Sequence, residues 1–234
     1  MIAEVAAHVP PSLGAYRDGV AVGPGGTAAL PLASLHDPAV FDGAITAFAA
    51  GYGGADRRAV VSYWSQHYLA ALATPALTAL MRLGRPLPLA FAATSLELDE
   101  GGRPARLLIR DGGACGGAAC PAGLAGLVEG HLRPFVALCH ARCGLAPRVL
   151  WGNAATILGH VARELGGDAP ACEEVAACLG WRGGAACATT PLAQALRPDA
   201  SGGPRRRACC LRHRLPGVPS CGALCPLERC APPC

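Results

Sequence analysis

Ala59 to Met81 is a run of 23 residues without a formal charge, closed off by Arg57 and Arg58 on one side and Arg82 on the other. A stretch of that length either crosses a bilayer or is buried along its whole length in a globular core. Its first half carries Ser62, Ser65, Gln66 and His67, and its second half carries Pro75, a polar load that hydrocarbon accommodates poorly. We therefore expect a long buried helix of a soluble fold, with Pro75 the point at which it would break.

The 234 residues are 52% hydrophobic and 15% charged, which excludes a disordered chain and suffices for one generous domain, or a domain with a small appendage. All twenty basic residues are Arg, and Gly, Pro and Ala abound, a compositional bias that leaves any single Ala, Gly or Arg with little weight. Position says more than amount. Residues 201–234 hold six Arg against one Glu, so this tail carries +5 of a net charge of +4, and residues 1–200 carry −1. The opening MIAEVAAHVPPS has no basic segment and its apolar stretch is broken by Pro10 and Pro11. No secretory signal is read there, and a cytoplasmic, reducing setting is expected.

Local patterns give an outline of the fold. Residues 1–36 are rich in Gly and Pro and read as irregular structure or short strands. Asp37 followed by Pro38 is an N-cap with Pro in the first helical position, opening a helix to about Gly51. Apolar runs on either side of Glu100, Gly101 and Gly102 read as a β-hairpin within residues 85–110. Leu124, Leu127, Val128, His131, Phe135 and Leu138 fall on one face of a helix that Gly144 would cap, and Leu150 to Leu165 repeat the pattern. The expected class is α+β: helices packed on a small antiparallel sheet, the last two packing together on it, followed by a cysteine-rich segment. Residues 197–204 read as a linker.

Six of the thirteen cysteines fall in the last 26 residues: Cys209, Cys210, Cys221, Cys225, Cys230 and Cys234. In a reducing compartment such crowding points to a metal or redox centre rather than disulfides, and the tail is too short and Pro-rich to build a core. Four thiolates meet the ligand count of a structural zinc or a [2Fe-2S] cluster. Neighbouring side chains in extended backbone point apart, so Cys209 and Cys210 chelate one small ion poorly, and only Cys221 to Cys225 is a short chelating spacing. The spacing favours the cluster. The alternative is a structural-zinc binding or regulatory protein whose basic tail meets nucleic acid.

The tail resembles the C-terminal signature of the FhuF family of siderophore-iron reductases, in which a C-C-x10-C-x2-C motif binds a [2Fe-2S] cluster. Cys209, Cys210 and Cys221 match, as do Arg207, Leu211, Arg214 and Pro226. Cys225 departs by one residue, since Gly222, Ala223 and Leu224 make the last gap three, and Cys230 is the substitute ligand. Arg148 to Ala154 resemble the family's Trp-Gly-Asn segment, and Ser62, Tyr63 and Trp64 its central region, so the resemblance covers roughly residues 55–230.

What the resemblance implies is a cytoplasmic one-electron reductase of siderophore-bound Fe(III). Residues 1–196 would form a substrate domain and residues 205–234 the cluster segment, with Cys209, Cys210, Cys221 and Cys225 as ligands. Trp151 and Asn153 fall where they would line a ligand cleft or, for a Trp at a helix start, anchor packing, and Arg207, Arg212 and Arg214 would meet an anionic substrate or an acidic donor. No Gly-x-Gly-x-x-Gly follows a strand, and a chain without Lys cannot form a Walker motif. Electrons are therefore expected from a donor protein such as a ferredoxin, with no nucleic-acid partner and a location free in the cytoplasm or peripheral at the inner membrane face. Cys139, His140 and Cys143, and separately Cys115 and Cys120, read as loose or core thiols rather than ligands.

Overall fold

The computed structural model describes residues 2–23, 29–112, 123–167, 170–181, 190–199 and 202–227. In chain order these form α1 (Ala3–Ala6), β1 (Val20–Val22), β2 (Leu30–Pro31), α2 (Pro38–Ala50), α3 (Arg57–Leu83), β3 (Ser95–Leu98) and β4 (Pro104–Ile109). There follow α4 (Gly123–Leu127), α5 (Arg133–Cys143), α6 (Pro147–Leu165), α7 (Pro170–Cys178), β5 (Leu196–Pro198) and β6 (Pro204–Arg206). Helices packed with small sheets make this an α+β fold.

The charge-free run is α3, buried along nearly its whole length and in contact with β1, β4, α2, α5 and α6. Two of its hydroxyls are satisfied within the helix, Ser65 Oγ donating to the Ser62 carbonyl at 2.7 Å and Thr78 Oγ1 to the Thr74 carbonyl at 2.7 Å. Pro75 does not interrupt it. A proline there removes the N–H that would reach the Ala71 carbonyl, and Gly19 packs against that oxygen instead. A Cβ at Gly19 would fall 2.2 Å from it, so only glycine fits. No described helix is long and apolar enough to cross a membrane.

Strand order in the main sheet is β1-β4-β3-β2. The β3–β4 hairpin turns where expected: Asp99 Oδ1 accepts from the N–H groups of Gly101 and Arg103 at 3.0 and 2.8 Å, and Gly102 takes a φ of 73°. The sheet is mixed, not antiparallel. β1 lies parallel to β4, with Val20 opposite Leu107, because residues 20–22 come from the far side of α2 and α3 rather than from a hairpin partner. α3 is also the helix on the sheet, with α5 and α6 packed on α3 rather than directly on the strands.

Asp37 caps α2 through the Ala39 N–H at 2.8 Å, and Gly144 ends α5 with a φ of 67°. The helix expected from Leu124 onward is interrupted by a π-turn at Val128–Leu132. Pro134 lacks the N–H an α-helix would aim at the Gly130 carbonyl, so the turn widens. That turn carries His131 into the core. Its Nδ1–H donates to the Leu89 carbonyl at 2.6 Å, leaving Nε2 to accept from the Tyr68 hydroxyl, while Tyr68 stacks on Phe135 with centroids 4.1 Å apart.

Burial holds the His131 pKa down at about 4, against an ordinary value of 6.5. The unfolded chain therefore binds an extra proton between those limits, and stability falls as pH drops through that window, by up to about 1.4 kcal/mol per unit. Urea unfolding at pH 6.5 and 4.5 should register this loss. The His131 C2–H resonance should stay at its neutral position down to about pH 5, and a midpoint near 6.5 would contradict the assigned bonding.

Candidate functional site

β5 and β6 pair antiparallel, with Leu196 opposite Arg206 and Pro198 opposite Pro204. The stretch expected as a linker thus supplies the arms of a hairpin, and β5 contacts α6. Alternation along β6 sends Arg206 inward, where it is 2% exposed. Its Nη1 donates to Asn153 Oδ1 at 2.7 Å. Asn153, on α6, is fully buried, and its Nδ2 donates to the Ser62 carbonyl and to Ser65 Oγ, both at 3.0 Å. Ser62 Oγ in turn donates to the Cys210 carbonyl at 2.8 Å. One buried network therefore joins α3, α6, β6 and the second cysteine of the tail.

Outer contacts complete the docking. Arg212 donates to Gln66 and lies over the Tyr63 ring, 5.0 Å from its centroid. Arg214 reaches Asp56 at 2.6 Å, and Asp56 already caps α3 through the Arg58 N–H at 2.9 Å. Hydrogen bonds from the Arg58 side chain and backbone hold the Asp56 pKa down at about 2, with Arg214 adding to them. The Arg205 Nε holds the Cys225 carbonyl at 2.7 Å.

The four expected ligands are brought together. Cys210 and Cys221 share a hydrogen bond, Cys209 interacts electrostatically with Cys210 and Cys225, and Cys225 does so with Cys221. The Cys221 thiol donates to Cys210, which lowers the Cys210 pKa to about 5, aided by the Arg212 N–H and the charges of Arg206 and Arg212. The same bond raises Cys221. Leu211 takes a left-handed φ of 63°, alone among described non-glycine residues. This strain, about 1 to 2 kcal/mol, turns successive N–H groups toward sulfur: Leu211 N donates to Cys209 Sγ at 3.3 Å, and Arg212 N to Cys210. His213 Nδ1 lies 3.5 Å from Cys209 Sγ. Among the described residues, no group of three or more His, Cys, Asp or Glu side chains is placed to hold a metal ion.

The irregular gap is a 3₁₀ turn, Gly222–Leu224, in which Gly222 has a φ of 66° and the Cys225 N–H returns to the Gly222 carbonyl at 3.0 Å. Cys230, Cys234, Cys115 and Cys120 lie outside the described residues. Cys139 is fully buried and Cys143 Sγ donates to its carbonyl at 3.1 Å, so this pair belongs to the core.

Two openings flank the cysteines and share no lining residue. A cleft of about 610 Å³ is bounded by Cys221, Leu224, Arg206, Arg212, His160, Arg163, Tyr16 and the apolar Leu13, Ile157 and Val161. A groove of about 570 Å³ is bounded by Cys209, Leu211, Val149, Arg58, Arg148, Arg207 and Arg214. The three arginines expected at a substrate therefore divide, Arg212 to the cleft and Arg207 and Arg214 to the groove. Trp151 sits in the core, and neither it nor Asn153 lines a described cavity.

Residues 62–215 match the family described as ferric iron reductase FhuF-like transporter. The chain belongs to this family. No curated protein matches it. The FhuF-like match takes in Ser62, Asn153, Arg206, Cys209 and Cys210, the whole buried network, and ends before Cys221 and Cys225. His213 was not singled out as a site residue in the sequence. An asparagine on the apolar face of a helix was the available signal for a buried polar partner, since such a group must be hydrogen-bonded.

Replacing Asn153 by Leu strips Arg206 of its acceptor. The expected loss is about 2 to 4 kcal/mol, measured as a lowered urea midpoint, whereas Ser62→Ala should lose about 1 kcal/mol. Equal midpoints for wild type and Asn153→Leu would show that the network does not hold the tail.

Proposed function

We propose that this FhuF-like protein is a cytoplasmic ferric-siderophore reductase whose Cys209, Cys210, Cys221 and Cys225 hold a [2Fe-2S] cluster. The observation that carries the proposal is Arg206. It is a buried cation within electrostatic reach of Cys209, Cys210 and Cys221, its Nε has no partner, and no described carboxylate compensates it. Such a site calls for concentrated negative charge, and a tetrathiolate cluster is doubly negative when oxidised and triply negative when reduced. Donor chemistry agrees: four thiols lie within electrostatic reach of their neighbours, and two of them receive backbone N–H groups.

When bound, the cluster supplies a one-electron couple able to convert Fe(III) to Fe(II). The chain's own residues do the rest. Arg206 and Arg212 favour the more negative state, and the cleft beside Cys221 offers apolar walls with a few polar groups, the lining of a small-molecule site. A siderophore holds Fe(III) through hard oxygen donors that suit Fe(II) far less, so one electron loosens the metal.

Electron paramagnetic resonance of the dithionite-reduced protein tests the class, with a [2Fe-2S] signal expected. Substituting Ser for Cys209, Cys210, Cys221 or Cys225 should each abolish it, and Cys230→Ser should leave iron and sulfide unchanged. A colourless, zinc-loaded protein would overturn the proposal in favour of a structural-zinc protein. A cluster retained in Cys225→Ser and lost in Cys230→Ser would move the fourth ligand. NADPH alone should drive no reduction of a ferric siderophore, because the chain carries no dinucleotide motif.

A further inference from the structure

We propose that the groove at Cys209 is the docking surface for an acidic electron-carrier protein, so that donor and siderophore approach the cysteines from separate sides. This rests on the reading above. Arg58, Arg148, Arg207 and Arg214 line the groove, and its lining contains no carboxylate. Asp56, just outside, is shared by Arg58 and Arg214. No carboxylate reaches Arg148 or Arg207 among the described residues, and both are exposed.

Charge and shape together choose the occupant. Both openings are cationic, but the cleft beside Cys221 adds apolar wall from Leu13, Ile157 and Val161, whereas the groove presents four exposed guanidinium groups around partly buried Cys209 and Leu211. Exposed cations of this kind add little to the affinity of a small molecule, but collectively they steer and orient a large surface of opposite sign. The two sides follow from the backbone: Arg206 points inward and Arg207 outward at the end of β6, and Arg212 and Arg214 part on either side of a 3₁₀ turn. A carrier seated here meets the cysteines at Cys209 while Cys221 still faces the substrate cleft.

The test is the affinity of the full-length, cluster-loaded protein for an oxidised plant-type [2Fe-2S] ferredoxin, by titration calorimetry at low and high ionic strength. Arg148→Glu and Arg207→Glu should each weaken binding about tenfold or more and flatten its salt dependence. Arg133→Glu is the control. It changes the net charge equally, at the end of α5 about 16 Å from the groove. Unchanged affinity in the groove variants, or the same loss in Arg133→Glu, overturns the proposal. So does weakened binding of a ferric trihydroxamate in the groove variants with ferredoxin affinity intact, since the groove would then be the substrate's. Wild-type protein that carries no iron and sulfide overturns this proposal and the function together. A cluster-loaded protein with unaltered ferredoxin binding in the groove variants overturns this one alone.

Discussion

A guanidinium taken out of water loses hydration that only hydrogen bonds or nearby negative charge can replace. Arg206 has one such bond, to Asn153, and faces three thiols with its Nε unpartnered. The position of the tail depends on this arrangement. Asn153 is held by two hydroxyl-bearing residues of the most buried helix, so the strand end carrying Arg206 is fixed relative to α3, and Cys209 and Cys210 follow within four residues. The Cys221 hydrogen bond is the main cause of the lowered Cys210 pKa, and the charge of Arg206 adds to it. Docking of the tail and negative charge at the sulfurs thus support each other.

The arginines of the tail are close in sequence but serve different ends because alternation and the 3₁₀ turn send neighbours apart. Arg205 fixes the Cys225 carbonyl, Arg206 compensates the sulfurs, and Arg212 stacks on Tyr63. Arg214 bonds Asp56, a helix cap that would exist without the tail and whose negative charge the tail uses. A uniform basic patch would attract anions without direction. Here one set lies toward the cleft beside Cys221 and the other toward the groove beside Cys209.

Features set by a few adjacent residues were legible in the sequence. The Asp37 cap, the turn before Arg103, the Gly144 terminus and the burial of α3 depend on local geometry and periodicity, and they stand as expected. Features that depend on distant chain were not. Pro75 marks a break only if nothing covers the Ala71 carbonyl, and Gly19, 52 residues earlier, covers it. Short strands were an open reading of the Gly-rich opening, but the parallel pairing of β1 needs knowledge of how α2 and α3 pack. Trp151 and Asn153 were noticed as a motif, yet a motif does not say whether a side chain faces a ligand or the interior. Of the site, the cysteine spacing was legible, but which tail arginine turns inward depends on the pairing of β5 with β6.

The extra residue between Cys221 and Cys225 illustrates how a spacing rule can be relaxed. Lengthening a short loop by one residue changes its closure entropy by only a few tenths of a kcal/mol, so the real constraint is whether the backbone can bring both sulfurs to the same side. Gly222 enters the left-handed region without strain and lets the chain close a 3₁₀ turn onto its own carbonyl, while Arg205 holds the far end by the Cys225 carbonyl. The spacing of Cys221 and Cys225 is therefore a property of the turn between them, and a left-handed residue at position 222, rather than a fixed residue count, is what this turn requires.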